Sequence, residues 1–304
     1  MDRIEAMGLF VAIADAGSLA AAGRRLRLPL QTVSRKLRAL EEHLGVRLLT
    51  RTTRRLALTE EGRDYLDACR RVLADIEDAE RRVAGRHAEP KGQLAITAPV
   101  VFGRLHVLPV LTEFLDAYPQ VEARLMLLDR VIDLVEEGID AAVRIGPLPD
   151  SSLIATRLGG LRRVVCASPA YLKKHGTPET LADLARHDCI TFAGISSPVN
   201  WKFDGIGTAS IRSRLVVTTA EAAVDAAIAG IGVTRLLTYQ VAEALDAGKL
   251  RLILTGFETP AVPVNLVSVE GRQAPARVRA FLDFAVPRLR ARLTALGESP
   301  VFRA

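Results

Sequence analysis

Between Gly17 and Gly45 two helical patterns follow one another with three residues in which to turn, and no other feature of the chain restricts its fold as much. Upstream, Ile4, Leu9, Phe10, Val11 and Ile13 give a first apolar face, ended by Gly17, a good left-handed stop. Ser18 is a natural N-cap for a second helix through Ala20–Leu26, whose alanines permit close approach to a neighbour. The connection Arg27-Leu28-Pro29 is short, and Pro29 suits the first turn of a third helix, where no backbone donor is needed. There Val33, Leu37, Leu40 and Leu44 recur at intervals of 4, 3 and 4, a buried stripe closed by Gly45. Next, Val46-Arg47-Leu48-Leu49 and Leu56-Ala57-Leu58 flank a Thr/Arg tip, which predicts a hairpin wing.

The third helix leaves Leu30, Gln31, Thr32, Ser34, Arg35 and Arg38 at its entry and on its far face. Such side chains hydrogen-bond base edges and phosphates in a major groove, and Arg51 and Arg54 in the wing are placed for phosphates or a narrow minor groove. A lone helix of this pattern would read as an ordinary solvated face; the short turn before it and the wing behind it favour double-stranded DNA. Charge agrees. Residues 1–58 hold 11 basic and 5 acidic residues, so the whole net charge of +6 sits there and the remainder is balanced. A membrane surface would also attract a basic patch, but this one belongs to a segment with its own core.

From Thr59 a single long helix is expected, capped by Thr59 and favoured by Glu60 and Glu61 at the positive end of its dipole. Tyr65, Cys69, Val72, Ile76, Ala79 and Val83 are spaced 4, 3, 4, 3 and 4, a heptad seam widened by Leu66 and Leu73. The seam either packs on its own domain or pairs with a second copy, and dimerisation is the preferred reading. Gly85 to Gly92 then reads as a linker.

The rest of the chain alternates. Strands are expected at Leu94–Ala98, Val121–Leu128, Ala141–Ile145, Arg163–Ala167, Ile211–Val217, Val233–Leu236, Leu250–Leu254 and Val264–Val269. Helices are expected at Arg104–Tyr118, Ile132–Glu137, Ala220–Ala229 and Pro275–Leu296, so α/β sheets in two subdomains follow. Catalysis finds little support. His43, His87, His106, His175 and His187 are scattered without metal-ligand spacing, and His187-Asp188-Cys189 reads as a loop rather than a triad. Gly230-Ile231-Gly232 lacks the third glycine of a dinucleotide motif and suits close packing instead. The charged start, the lack of an apolar run of about 18 residues and three distant cysteines point to a cytoplasmic protein without a disulfide framework.

Phe10-Val11, Ala16-Gly17-Ser18, Val33-Ser34-Arg35-Lys36, Leu44-Gly45-Val46-Arg47-Leu48-Leu49 and Leu58-Thr59-Glu60-Glu61-Gly62 resemble the winged helix-turn-helix of LysR-type transcriptional regulators. Pro29-Leu30-Gln31-Thr32 departs locally from the commoner Ser-Gln-Ser-Ala entry. Val143-Arg144-Ile145-Gly146 and Ala167-Ser168-Pro169-Ala170-Tyr171-Leu172 resemble the effector domain of the same family. The resemblance implies an all-α winged helix-turn-helix domain (1–58), a linker helix (59–89) and an α/β, two-subdomain effector domain like type 2 periplasmic binding proteins (90–304). It further implies a homodimer assembling to a homotetramer, antiparallel pairing of linker helices, RNA polymerase as a candidate partner, no cofactor beyond the effector, and no enzymatic activity. The effector cleft would be formed by Pro99, Val100, Val101 and Phe102 facing Thr218 and Thr219, with Gly146, Pro147 and Phe192 completing the walls. Relatives often carry a hydroxyl where this chain has Val101, which points to a more apolar effector. Thr218 and Glu221 also fit a capping box. A solute-binding receptor would account for the second half alone, and an enzyme fused to a DNA anchor would need convergent titratable groups.

Overall fold

The computed structural model describes residues 2–51, 56–83, 89–149, 153–193, 197–269, 274–299 and 302. The chain divides into two compact units, Met1–Leu94 with Tyr118–Glu122 and Pro275–Val278, and the remainder.

Helix α1 (Arg3–Ala16) is started by Asp2, whose carboxylate accepts from the backbone N–H of Ile4 at 2.9 Å, and is ended by Gly17 at φ 63°. Ser18 caps α2 (Leu19–Leu26) through the N–H of Ala21 at 3.1 Å. Arg27 then turns the chain at φ 55°, and Pro29 sits one position ahead of α3 (Leu30–Leu44), as its cap rather than in its first turn. Gly23 makes this turn possible, since a β-carbon there would lie 2.8 Å from the carbonyl oxygen of Leu28. Val33, Leu37 and Leu40 are buried in a core with Phe10, Ile13 and Ala22.

Strands β1 (Leu49–Arg51) and β2 (Leu56–Leu58) pair antiparallel with Leu49 opposite Leu58, the expected wing. Two side chains fasten it. The Glu41 carboxylate accepts from the N–H groups of Leu48 (2.9 Å) and Leu49 (3.2 Å). Thr59 Oγ1 donates to the carbonyl of Arg47 (2.7 Å) and accepts from Gly62 N–H (2.9 Å), capping α4 (Glu60–Val83) as expected. Gly62 is obligatory for this approach, because a β-carbon would lie 2.0 Å from the carbonyl oxygen of Leu48.

Beyond residue 91 the chain builds two five-stranded sheets. In the first, β3 (Gly92–Ala98) lies between β4 (Val121–Leu127) and β5 (Ala141–Ile145); β14 (Val262–Ser268) and β6 (Ile154–Leu161) follow beyond β5. In the second, the order is β11 (Arg212–Val217), β8 (Asp188–Phe192), β12 (Val233–Leu237), β7 (Arg163–Ala167) and β13 (Arg251–Ile253). A separate hairpin, β9 (Asn200–Phe203) with β10 (Gly207–Ser210), covers one face of the second sheet through buried Trp201 and Phe203. The chain passes from the first sheet to the second between β6 and β7 and returns by β14, so each sheet is assembled from separated segments. Helices α5 (Val100–Phe102) and α6 (Leu108–Ala117) are joined by a π turn over Gly103–Val107. The remaining helices are α7 (Pro169–His175), α8 (Ala220–Ile228), α9 (Thr238–Asp246) and α10 (Ala276–Glu298).

Several expectations are corrected. Ile132–Glu137 forms no helix: the Asp133 carboxylate takes the N–H groups of Val135 (2.8 Å) and Glu136 (3.1 Å), closing a turn, and Gly138 leaves it at φ 60°. Helix α8 is capped by Thr219, not Thr218, with Ala222 N–H on its Oγ1 at 3.3 Å. Asp188 and Cys189 open strand β8 rather than a loop. Gly232 does serve close packing, since its β-carbon would fall 2.2 Å from the carbonyl oxygen of Asp188.

The glycines give a paired test. Gly62→Ala should destabilise the N-terminal unit by more than about 2 kcal/mol through backbone collision. Gly8→Ala in α1, where a β-carbon meets nothing within 4 Å, should stabilise by about 0.5–1 kcal/mol through helix propensity. Urea melts of the full chain read both; equal effects would contradict the packing around Leu48.

Candidate functional site

Gln31, Arg35 and Arg38 project from one face of α3 and are exposed, opposite buried Val33, Leu37 and Leu40. Leu30 is 52% exposed at the helix entry, and Thr32 and Ser34 are half-buried at the margin. Neighbouring cations are already engaged: Lys36 pairs with Glu5, and Asp15 takes Arg70 at 2.5 Å and Arg25 at 3.9 Å. Among the described residues Arg35 and Arg38 are in no ion pair, so their charge faces outward. Arg47, which the sequence reading did not single out, lines a recess of about 600 Å³ with Ser34 and Arg38. Its position comes from the Thr59 bond to its carbonyl, a tertiary contact with no signal in the local pattern. The backbone of Arg51 lies in the wing, while Arg54 lies outside the described residues.

The seam of α4 divides. Cys69 is fully buried in the N-terminal core and Tyr65 packs on Phe10 with ring centroids 5.7 Å apart. A side chain without accessible surface cannot meet a second copy, so this half holds the helix to its own domain. Val72 is 40% exposed, Ile76 half-buried and Ala79 exposed; the side chain of Val83 lies outside the described residues.

In the effector half the expected residues collect at strand ends. Pro99 and Val100 follow β3, and Gly146 and Pro147 follow β5, which runs parallel to β3, so these pairs share one edge of the first sheet. Phe192 and Val217 are paired neighbours in parallel strands, which brings Phe192 beside Thr218 and Thr219 on the second sheet. Thr218, Thr219 and Pro147 are exposed, whereas Val101, Phe102 and Phe192 are buried and act as packing behind the exposed positions. Phe102 stands edge-on to Tyr239 of α9 at 5.4 Å, joining the helix that follows β3 to the second sheet. The Val100 N–H is not free, since it donates to Asp129 at 3.1 Å. Burial raises the Asp129 carboxyl above its usual range, the Val100 bond lowers it, and the charge of Glu221 raises it again. Asp129 escaped the sequence reading because only the fold carries it to the residues after β3.

The bacterial regulatory helix-turn-helix protein description of the lysR family matches residues 4–63, and the LysR substrate binding domain matches residues 87–290. The chain belongs to the LysR family of transcriptional regulators. It is 37% identical to an HTH-type transcriptional regulator of Xanthomonas campestris over 92% of this chain and 84% of that one. It is 35% identical to the HTH-type transcriptional regulator CrgA of Neisseria meningitidis over 94% and 96% of the two chains. The solved structure of CrgA superposes with a TM-score of 0.60 over 94% of this chain and 98% of that one, at 34% identity. Full-length AphB of Vibrio cholerae gives 0.59 over 94% and 99%, at 26% identity. LysR regulators bind DNA and small-molecule effectors and form oligomers, and the relatives are regulators, not enzymes.

The titratable groups fit that assignment. Burial pushes the thiols up, to about 11 for Cys69 and about 12 for Cys166 and Cys189, which leaves little nucleophilic thiolate. His187 Nδ1 meets the Tyr171 hydroxyl at 3.3 Å, and Asp188 is taken by Arg212 and by Arg214 at 2.9 Å, so both residues are structurally engaged. No described helix is long and apolar enough to cross a membrane.

His106 lies 4.8 Å from Phe102 and 5.9 Å from Tyr239, and burial, aided by the charge of Arg292, pushes it down to about 4. Its folded value lies below its ordinary one, so the neutral ring contributes stability that is complete above pH 6.5 and lost as pH falls towards 4. The amount is on the order of 3 kcal/mol. His106→Leu should therefore flatten the fall in melting temperature across that window relative to the native chain; identical pH profiles would place His106 outside the joint.

Proposed function

We propose that this regulator reads operator DNA with α3 and the wing as a homodimer and responds to a small molecule bound between the two sheets of its effector half. The observation that carries the DNA reading is the exposed row Gln31, Arg35 and Arg38, its arginines unpaired, on a helix whose other face is buried. Leu30, Thr32 and Ser34 border the contact, and Arg51 and Arg54 supply phosphate or minor-groove contacts. The division 1–58, 59–89 and 90–304 follows the same reading, as do a cytoplasmic location and RNA polymerase as the partner through which transcription responds.

One helix-turn-helix makes few base contacts, so specificity requires two half-sites about 34 Å apart or a multiple of it. The surface that remains to hold two copies is the exposed part of the α4 seam, Val72, Ile76 and Ala79, continued by Val83. The effector would touch Pro99, Val100, Gly146, Pro147, Thr218 and Thr219. Asp129 and Glu221 disfavour a carboxylate there, and Val101 supplies no hydroxyl, which together support an uncharged or cationic effector.

Arg35→Ala and Gln31→Ala should each cost about 1–3 kcal/mol on operator DNA and little on random duplex. Arg54→Ala should weaken both alike and make the salt dependence shallower. Equal losses on both duplexes for all three variants would remove α3 from the reading role.

Val72→Asp or Ile76→Asp, which would bury an unpaired carboxylate between two copies, should reduce protection of a two-half-site operator to independent half-sites while the effector half stays folded. Intact paired protection would show that another surface holds the dimer. In thermal-shift assays an uncharged or cationic effector should raise the melting temperature of the native chain and not of Thr218→Tyr.

A further inference from the structure

The recess of about 600 Å³ beside α3 has a use that the row Gln31, Arg35 and Arg38 does not account for. Ser34, Arg38 and Glu42 line it from the helix, and Val46 and Arg47 from the chain that leaves α3 for the wing. Positions 34, 38 and 42 fall four apart and so share one flank of the helix. At 1.5 Å per residue they span about 12 Å, which makes the recess a trough along α3 rather than a pit. Arg38 stands where this flank meets the exposed row, so the trough borders the face turned to DNA.

Arg47 is held by its backbone and not by its side chain. Its carbonyl accepts from Thr59 Oγ1 at 2.7 Å, and the next N–H, of Leu48, donates to Glu41 at 2.9 Å. The residue is exposed, and among the described residues neither its guanidinium nor that of Arg38 has an ion-pair or hydrogen-bond partner. Other cations of this half are neutralised at close range: Lys36 by Glu5, and Arg70 by Asp15. Two carboxylates also line the trough. Glu41 is spent on the N–H groups of Leu48 and Leu49, which leaves Glu42 as the uncommitted one. Two free cations against one free carboxylate, in a segment of 11 basic and 5 acidic residues, favour an anionic occupant.

A helix in a major groove about 12 Å wide is flanked by two sugar–phosphate strands. The strand on the wing side has to pass between α3 and the wing, over this trough. Guanidinium groups bind phosphate through parallel N–H donors, and such contacts fix register without reading sequence. Building on DNA contact by α3 and the wing, we propose that the trough seats a phosphodiester of that strand, held from the helix by Arg38 and from the wing side by Arg47. Arg47 is then a positioning contact that sets affinity for any duplex, while Gln31 and Arg35 set sequence preference.

Because the contact is to phosphate, a random-sequence duplex serves as the probe. Binding of the full-length protein is followed by fluorescence anisotropy between about 50 and 200 mM sodium chloride. Arg47→Gln should lower the slope of log affinity against log salt by about 0.9 for each copy bound. Its deficit at about 50 mM should accordingly exceed that at about 200 mM roughly 3.5-fold per copy. Arg47→Lys, which keeps the charge, should retain most of the native slope, and Glu42→Gln should tighten binding. Urea melts of all three variants should match the native chain, because the bonds that hold residue 47 are made by its backbone. Native binding without salt dependence would overturn α3 and the wing as the DNA surface, and this proposal with them. Salt-dependent native binding with an unchanged slope in Arg47→Gln, or a slope in Arg47→Lys as shallow as in Arg47→Gln, overturns the assignment of Arg47 alone.

Discussion

The Glu41 carboxylate fixes the geometry on which the DNA-binding half depends. It gathers the N–H groups of Leu48 and Leu49 just where the chain leaves α3 for the wing. A charged acceptor on two backbone donors makes stronger bonds than a neutral one, and without it both donors would be left unmade at a half-buried position. Thr59 completes the clamp by binding the carbonyl of Arg47 while capping α4. One short stretch, residues 47–62, therefore ties together α3, the wing and α4. Tyr65 and Cys69 seat α4 in the same close-packed core as Val33, Leu37 and Leu40 of α3.

In the effector half the joint between elements is aromatic contact instead. Phe102, His106 and Tyr239 bring the helix after β3 against α9. Edge-on ring packing is strong only over a narrow range of separations, so a ligand that shifts either sheet would exchange this contact for another rather than stretch it. The residues expected to meet effector lie beside this joint. Val101 and Phe102 form its buried side, and Pro99 and Val100 its half-buried one.

The sequence was most informative where periodicity and caps coincide. Gly17, Ser18, Gly45 and Thr59 each behave as their residue types require, because a cap is a local interaction between neighbours in the chain. The second sheet was less legible. Strand β8 is buried at all five positions and shows no alternation; α9 begins directly after β12 with no breaker between them. In β6 Gly159 and Gly160 serve the approach of Leu293 and Ala261, which no local pattern announces. The seam of α4 was legible as a seam, yet not in its partners: a 3-4 repeat is the same whether it faces its own domain or a second copy, and only the core around Phe10 separates Cys69 from Val72. In the site the exposed face of α3 was legible from spacing alone, whereas Arg47 and Asp129 reach their places through long-range contacts.

Satisfaction of hydrogen bonds, more than residue type, separates structure from site in this chain. His187, Asp188, Arg212 and Arg214 are the residue types of an active site, but each is engaged: Asp188 by two guanidinium groups, His187 by Tyr171, whose hydroxyl also accepts the N–H of Asp188. That network spends its charges holding β8 to β11. Arg163 and Arg235 rise from neighbouring strands of that sheet and Trp201 from the β9–β10 hairpin beside it, and each keeps one buried N–H without a hydrogen-bond partner, with no charge network built on it.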